Sequence, residues 1–203
     1  MKKVLFISSR PIFPIVGGDQ IRTAQQLEFL LQKYDVDVIY QTSNKEENVI
    51  QKYLPSVKNA ICFRVPKWLC YMQTLRFLFN KLPLQVNYYY NGAMKKYIDS
   101  IIQNYDIVFC NNIRTAEYIR MSTGIIKVMD FVDAISMNYE KAKQKAHGLK
   151  KLVYEIDYRR CRKYEQLVLD TFHRCAIISE VDRFYILNNG KGSLCDREQG
   201  RNS

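Results

Sequence analysis

Short apolar runs rich in β-branched residues recur along the chain and predict buried β-strands. They lie at residues 3–9, 36–41, 60–65, 106–110, 125–130 and 175–179. Several of these runs are apolar nearly throughout instead of alternating with polar residues, which is typical of parallel strands covered on both faces. The sequence therefore predicts six strands of a mostly parallel sheet.

The segments between these runs carry the 3.6-residue period of amphipathic helices. A helix starting near Asp19 is predicted to bury an apolar face opposite a polar one, with Ile21, Ala24, Leu27 and Leu31 on the first and Arg22, Gln26 and Lys33 on the second. Two further apolar faces comprise Ala93, Tyr97, Ile101 and Ile102, and then Leu149, Leu152, Val153, Ile156, Tyr164, Leu167 and Val168. Alternation of strands and helices favours a doubly wound α/β sheet with right-handed crossovers.

Two regions depart from this alternation. Residues 66–90 form a basic, aromatic insertion that includes Trp68 and three consecutive tyrosines at 88–90. From residue 188 onward the chain is rich in glycine and charge and cannot continue a strand. We therefore expect one domain over residues 1–187 and a polar, disordered tail over 188–203.

Composition excludes several classes of protein. The chain has 203 residues, of which 47% are hydrophobic and 25% charged, with 8 Gly and 5 Pro, so collagen-like, low-complexity and wholly disordered chains do not fit. No apolar run approaches the ~18 residues of a membrane span, and the one at the start is too short for a signal peptide. We therefore expect a cytoplasmic protein.

The cysteines and histidines indicate no metal site. The six cysteines contain no Cys-x-x-Cys pair, and three of them lie inside apolar runs, where a thiol behaves as a small hydrophobe. Neither His147 nor His173 belongs to a ligand motif. Reduced, structural thiols and no metal are expected.

The net charge of +11 has three possible uses. Much of it falls on two predicted helical segments, in Lys141, Lys143, Lys145, Lys150, Lys151, Arg159, Arg160, Arg162 and Lys163. These residues form a solvated helix face, or they join the 68–79 insertion in a patch that attracts anionic lipid at the inner face of the membrane. The third use, nucleic-acid binding, is disfavoured because no known nucleic-acid module is present.

Candidate chemistry lies where the first strand gives way to a helix, because ligands of open parallel sheets bind beyond the carboxyl ends of the strands. Gly17 and Gly18 allow close backbone approach, the first helical turn favours an anion, and Arg22 can clamp a phosphate or carboxylate. Alternatively the glycines form only a turn, Asp19 is only the helix N-cap and Arg22 is only solvated. The segment contains neither the dinucleotide fingerprint nor a phosphate loop, which disfavours an NAD or ATP site.

Polar residues also follow the later strands. Asn111 ends the fourth strand, Asp130 and Asp133 follow the fifth, and Glu180 follows the sixth. A partly desolvated carboxylate at a strand end can accept a hydroxyl proton or bind a sugar hydroxyl. Alternatively, Asp130 and Asp133 cap the helix that begins at Ala134, and Glu180 is open to the same reading.

Several segments of the sequence, taken together, resemble those of a known protein family. Residues 4–9, Pro14, the run Gly17-Gly18-Asp19-Gln20-Ile21-Arg22, Leu27 and Leu30 are similar to the opening of family-4 glycosyltransferases, in particular bacterial sugar transferases of surface-polysaccharide synthesis. Further similar segments are Pro83-Leu84-Gln85-Val86 with Tyr88-Tyr89, Tyr105-Asp106-Ile107-Val108, Asp130-Phe131-Val132-Asp133, and Ser179 with Asp182. The resemblance extends over residues 2–187.

The resemblance implies a Rossmann-like half of a GT-B fold that binds a sugar or lipid-linked acceptor. A second half would hold a nucleotide-sugar donor as co-substrate, with no cofactor and no metal. Gly17 and Gly18 match the family's glycine loop, and Asp130 matches the position where relatives keep a His or Asp near the reacting hydroxyl. The family continues into a donor domain that this sequence lacks, so the resemblance implies a truncated half-enzyme, inactive alone, or a subunit whose partner chain supplies the donor site.

A function of another class stays open beside this one. A non-catalytic α/β binding module would use the basic helices and the aromatic insertion to dock on a membrane or a protein partner.

Overall fold

The sheet is single, parallel throughout and six-stranded in the described part of the chain. The structure is a computed structural model that describes residues 1–43 and 50–188. The strands are β1 (Lys3–Ser8), β2 (Asp35–Thr42), β3 (Ala60–Arg64), β4 (Ile107–Asn111), β5 (Ile126–Asp130) and β6 (Arg174–Ala176), in the order β3-β2-β1-β4-β5-β6. The six predicted strands and their parallel direction are confirmed. The predicted tail lies outside the described residues, apart from Asn188.

Helices cover both faces of the sheet, as the doubly wound prediction requires. Within the described ranges they are α1 (Gly18–Leu31), α2 (Ile50–Tyr53), α3 (Lys67–Thr74), α4 (Leu84–Tyr89), α5 (Gly92–Ile101), α6 (Ile135–Lys145), α7 (Gly148–Thr171) and α8 (Glu180–Leu187), with 3₁₀ turns at Leu75–Leu78, Ile102–Asn104 and Ile113–Tyr118. The order of strands reverses at β1, between β2 and β4. That reversal opens a crevice at the carboxyl edge of the sheet, where ligands of such folds bind.

The central strand β1 explains why the apolar runs do not alternate. Phe6 packs with Val38 and Leu27 in a core beneath α1 and α2, whereas the neighbouring Ile7 belongs to the larger core beneath α5 and α7. Both side chains are fully buried. Because each face of the sheet is covered, consecutive positions of the strand must all be apolar.

Two helices bury faces that differ in part from those predicted. In α1 the predicted Ala24 and Leu27 are buried together with Thr23, whereas Ile21 is 47% exposed. In α5 the buried face is one position on from the prediction, at Met94 and Ile98. Helix α1 begins at Gly18, one residue before the predicted start near Asp19.

The predicted apolar face of α7 is wrong over most of its length. Leu149, Leu152, Val153, Ile156 and Leu167 are all exposed. The helix buries the predicted Tyr164 and Val168 together with Asp157, Tyr158, Cys161 and Glu165, which were not predicted. Two carboxylates enter the core because each finds donors there, Asp157 at the Leu84 amide and Glu165 at Ser136.

The 66–90 insertion folds as α3, a 3₁₀ turn and α4, and it is fastened to the domain by hydrogen bonds to its carbonyls and amides. The Tyr89 carbonyl accepts from Gln41 Nε2 at 2.8 Å and from the Tyr118 hydroxyl at 2.7 Å. The Leu84 amide donates to Asp157 Oδ1 at 2.8 Å. These bonds place α4 against the 3₁₀ turn that follows β4.

The described cysteines Cys62, Cys70, Cys110, Cys161 and Cys175 are free thiols. Burial raises the pKa of the Cys110 thiol to about 12, so at neutral pH it is an uncharged apolar group. Within residues 1–43 and 50–188 there is no cluster of three or more His, Cys, Asp and Glu side chains placed to hold a metal ion. Over the same ranges, no helix has the length and apolar composition needed to cross a bilayer.

Candidate functional site

The carboxyl edge of the sheet is organised around the carboxylate of Asp130, the last residue of β5. Arg22 of α1 donates two hydrogen bonds to this carboxylate, from Nε to Oδ2 at 3.1 Å and from Nη2 to Oδ1 at 2.8 Å. Gln26 Nε2 donates to Oδ2 at 2.7 Å and the Val132 amide to Oδ1 at 3.3 Å. Asp130 is 0% exposed, so every approach to its oxygens is occupied by protein donors.

A second polar contact joins the same helix to the end of β4. Asn111 is buried, its Oδ1 accepts from Thr23 Oγ1 at 3.4 Å, and its Nδ2 donates to Gln26 Oε1 at 3.4 Å. Arg22, Thr23 and Gln26 therefore face the sheet. Arg22 and Gln26 were predicted on the polar face of α1, and the alternative that Arg22 is only solvated is wrong, because both side chains donate to the buried carboxylate of Asp130.

The glycine pair begins α1 at this edge. Gly17 is the N-cap residue, and Gln20 reaches back so that its Oε1 accepts from the Gly17 amide at 3.2 Å and from the Val16 amide at 2.7 Å. The alternative that Asp19 is the N-cap is wrong, since Asp19 lies inside the first turn and pairs with Arg10. No heavy atom lies within 4 Å of a Cβ built on Gly18, so the space at the helix start is open.

Backbone strain marks the ends of β4 and β5. Asn112 has a φ of 70° and Val132 a φ of 67°, in the region that L residues rarely adopt. The Asp133 amide donates to the Phe131 carbonyl at 2.8 Å and closes a tight turn around Val132. A β-branched residue in that conformation costs about 1–3 kcal/mol, and such strain concentrates at functional sites. The turn brings Asp133 out over the end of the strand.

Asp133 is the accessible carboxylate of the site. Its Oδ2 accepts from Asn138 Nδ2 at 2.7 Å, and it interacts electrostatically with Arg114 and Asp182. Partial burial raises the pKa of the Asp133 carboxyl above its ordinary value, against the smaller opposing effects of Asn138 and Arg114. It does not cap α6, whose N-cap is Ala134 and has no side-chain partner.

Arg114 connects this carboxylate to a pocket beneath the insertion. Its Nε donates to Gln85 Oε1 at 2.8 Å, and its guanidinium lies 4.6 Å from the centre of the Tyr89 ring. Burial lowers the pKa of Arg114, which remains a cation at neutral pH. An open pocket of about 370 Å³ adjoins it, lined by Tyr71, Thr74, Leu84, Gln85, Tyr88, Tyr89 and Arg114.

Glu180 lies apart from these groups. It is the first residue of α8, its side chain is 86% exposed, and its carboxylate accepts from Arg183 Nη1 at 3.2 Å on the same helix. The neighbouring Asp182 turns toward the start of α6, where its Oδ1 accepts from the Ala134 amide at 3.3 Å. Of the residues proposed after the sixth strand, the structure thus brings Asp182 to the edge and leaves Glu180 in solvent.

The sequence predicts Gly17, Gly18, Arg22, Asn111, Asp130 and Asp133 at one edge, and the structure brings them there. Gln85, Tyr88 and Tyr89 were not predicted as site residues, because they come from an insertion outside the strand–helix alternation. Their sequence signals are the aromatic run at 88–90 and the segments between 83 and 89 that carry the family resemblance. The edge now combines a cation, a carboxylate of raised pKa, an open helix start and aromatic rings, which are groups that bind hydroxyl-rich and anionic ligands.

Comparison with solved structures finds this fold in sucrose-phosphate synthase from Thermosynechococcus elongatus. The similarity has a TM-score of 0.60 at 13% sequence identity, covering 93% of this chain and 45% of that chain. A second structure, of part of the same synthase, gives a TM-score of 0.49 at 12% identity, covering 91% of this chain and 81% of that one. This chain therefore spans less than half of the length of the synthase in the first comparison. No family model and no curated protein sequence matches it.

At 13% identity the likeness shows the fold alone. The predicted Rossmann-like α/β fold is confirmed, and it is a fold that this chain shares with sucrose-phosphate synthase.

Proposed function

We propose that this domain binds the acceptor of a glycosyltransferase. In this proposal a sugar passes from a nucleotide-sugar donor to a saccharide or lipid-linked acceptor, in a cleft between this domain and a second one. The donor domain is covalently continuous with this one or belongs to a separate chain. The finer assignment, to family-4 transferases of bacterial surface-polysaccharide synthesis, rests on the sequence resemblance.

The observation that carries the proposal is the cluster of Asp133, Arg114 and the tyrosine-lined pocket at the carboxyl edge. Aromatic rings stack on the apolar faces of sugars, and a carboxylate accepts hydrogen bonds from their hydroxyls. Arg114 offers guanidinium donors to a carboxylate or phosphate on the ligand. The fold shared with sucrose-phosphate synthase supports a transferase over other uses of this cluster.

Within the proposal, Asp133 receives the hydroxyl proton of the acceptor. Asp130 has a positioning role, because it holds α1 and the turn at Val132 at the carboxyl edge of the sheet. A carboxyl of raised pKa that solvent reaches is suited to take a proton. The sequence predicts the proton acceptor at Asp130, but there the carboxylate is buried beneath Arg22 and Gln26. Gly17 and Gly18 are proposed to admit the donor's phosphates close to the backbone.

The experiment compares Asp133→Asn, Asp130→Asn and Arg114→Ala with the matched control Asp99→Asn, an exposed aspartate of α5. Binding of a saccharide panel by the domain is followed by ligand-observed NMR, and transfer from nucleotide sugars, with a donor domain supplied in trans, is followed by mass spectrometry. We expect Asp133→Asn to abolish transfer while binding falls less than fivefold, and Arg114→Ala to weaken binding about tenfold or more. Asp99→Asn should change neither.

Two results would contradict the proposal. One is the absence of any saccharide binding by the folded protein. The other is equal binding by the Arg114 and Asp133 variants and the control. Transfer that survives in Asp133→Asn but not in a folded Asp130→Asn would return the catalytic role to Asp130.

The second candidate, a non-catalytic binding module, is favoured by one observation. Asp130, at the family's position near the reacting hydroxyl, is buried beneath protein donors in this chain. A module that only docks on a membrane surface or a protein partner predicts no sugar transfer even when a donor domain is supplied in trans.

A further inference from the structure

Helix α3 presents its apolar stripe to solvent. Trp68, Tyr71, Met72 and Leu75 recur at the spacing of one helical face, and they are 66%, 66%, 55% and 52% exposed. Cys70, between them in sequence, is buried and fixes the opposite side of the helix to the domain. An amphipathic helix of a soluble core would bury this stripe, so another surface is needed to cover it.

The exposed apolar surface continues beyond the helix. Leu78 is 71% exposed and Phe79 89% exposed, at the end of the 3₁₀ turn that follows α3. Phe77, between Arg76 and Leu78, instead turns inward, because the Arg160 guanidinium lies 3.7 Å from its ring centre and donates to its carbonyl at 2.7 Å. The insertion is thereby held against α7, while Leu78 and Phe79 face outward.

The first half of α7 carries a matching stripe. Leu149, Leu152, Val153 and Ile156 lie on one side of the helix and are exposed. The stripe leads into an open groove of about 500 Å³ between α7 and the insertion, lined by Lys81, Leu82, Ile156, Arg159, Arg160, Lys163, Tyr164 and Leu167. The groove connects the α7 stripe to the insertion at Lys81 and Leu82, and we call the two stripes, together with Leu78, Phe79 and this groove, the apolar-basic face.

Cations surround these apolar side chains. Exposed basic residues on both segments are Lys67, Arg76, Lys81, Lys150, Lys151 and Lys163. Residues 67–81 contain no Asp or Glu, and neither do residues 148–154. The nearest acid on α7, Glu155, is already paired with Lys143 and Arg159. Two copies of this face would repel each other, whereas an anionic surface complements it.

We propose that the apolar-basic face docks on an anionic lipid bilayer. Trp68, Leu78 and Phe79 enter the headgroup region, and the lysines contact lipid phosphates. Tryptophan favours this interfacial depth because its ring is apolar and its N–H is polar. The proposal stands apart from the proposed function, since bilayer binding is measured without donor, acceptor or transfer.

The position of the face relative to the candidate site has a consequence for the ligand. Tyr71 belongs to the exposed stripe of α3 and also lines the pocket beside Arg114. A bilayer docked at α3 therefore holds lipid headgroups within one side chain of that pocket.

Trp68 is the single tryptophan of the chain, so its fluorescence reports on this face alone. The full chain is titrated with vesicles of phosphatidylcholine containing 30% phosphatidylglycerol, and with vesicles of phosphatidylcholine only. We expect a blue shift of Trp68 emission and quenching by bromine-labelled acyl chains with the anionic vesicles. Binding should weaken as salt is raised from 0.1 M to 0.5 M, because salt screens the lysine–phosphate attraction.

Matched variants separate the apolar and charged contributions in vesicle co-sedimentation. Phe79→Ser should lower the partition coefficient about tenfold, and Lys150→Gln with Lys151→Gln about fivefold per lysine. The controls are Phe29→Ser, an exposed phenylalanine of α1 on the other side of the sheet, and Lys33→Gln with Lys52→Gln. All positions are exposed, and circular dichroism verifies that each variant is folded.

Three outcomes would overturn the proposal. Trp68 emission that does not change with anionic vesicles is the first. Partitioning lowered equally by the Phe79 variant and its Phe29 control is the second. The third is a dimer in analytical ultracentrifugation that Phe79→Ser converts to monomer while vesicles bind neither form, which would assign the face to a second copy of this chain.

Discussion

Arg22 and Asp130 form the pair on which the carboxyl edge depends. Asp130 is fully buried, whereas the Arg22 side chain is 27% exposed, so the cation reaches in from the rim to satisfy a carboxylate that water cannot reach. A buried charge left without its partner costs far more than an exposed pair contributes. The pair therefore determines whether α1 stays fixed to β5.

We predict that Arg22→Ala lowers the free energy of unfolding by about 3 kcal/mol, because it leaves the buried Asp130 carboxylate without its charged partner. Arg159→Ala is the control, since Arg159 pairs with Glu155 on the surface of α7 and its loss should change stability by about 0.5 kcal/mol or less. Urea denaturation measures both. The double variant Arg22→Met with Asp130→Asn should recover about 1 kcal/mol or more of the loss, and purely additive effects would show that the pair is not coupled.

At the scale of elements, α6 and α7 are joined through a buried acid. The Ser136 amide donates to Glu165 Oε1 at 2.9 Å, and the Ser136 hydroxyl to Oε2 at 2.5 Å. Burial raises the pKa of Glu165 to about 7, although the Ser136 hydrogen bonds oppose the shift. The start of α6, directly after Asp133, therefore rests on a group that titrates near neutral pH.

The sign of the pH effect follows from proton counting. Between pH 4.5 and pH 7 the folded protein holds a proton on Glu165 that the unfolded chain has released, so stability falls as pH rises through this window. We predict a loss of up to about 3 kcal/mol from this group, measured by urea denaturation at pH 5 and pH 8. The Glu165→Gln side chain cannot titrate, so the free energy of unfolding should change less between pH 5 and pH 8 in this variant. An unchanged pH dependence would show that Glu165 is not its source.

The elements were more predictable than the faces they bury. Six apolar runs predict six strands because a strand covered on both sides needs apolar residues at every position. Helix faces are harder to predict, since a polar residue is buried wherever a distant partner satisfies it. Glu165 accepts from Ser136 of α6, and Gln26 donates to Asp130 of β5. The periodicity of a helix predicts neither partner, because both come from other elements.

The candidate site, too, was predicted only in part from the sequence. Gly18, Asn111 and Asp130 were predicted to meet because parallel strands end at one edge of the sheet. The strained turn at Val132 was not predicted, since valine ordinarily avoids a φ of 67° and only the surrounding contacts impose it. Tyr89 was not predicted as a site residue, because hydrophobic periodicity does not indicate where an insertion packs against the domain.

At the scale of the whole molecule, the sheet couples two cores that do not otherwise share side chains. Phe6 stacks on Phe109 with their ring centres 5.1 Å apart on the α1 side, while Leu5 and Ile7 of the same strand pack beneath α5 and α7. Neither layer of helices can keep its apolar face buried once β1 leaves the sheet. The two cores should therefore unfold as one unit.

We predict that Phe6→Ala lowers the free energy of unfolding by about 3–5 kcal/mol, through lost burial and the cavity left beside Phe109. Trp68 is exposed and lies in the insertion, which is fastened to α7 on the other side of the sheet, so a change in its fluorescence reports when the insertion detaches from that side of the domain. The urea midpoint seen by Trp68 should fall together with the midpoint seen by circular dichroism. If Trp68 kept its original midpoint while the helical signal was lost in two steps, the layers would be independent and the sheet would not couple them.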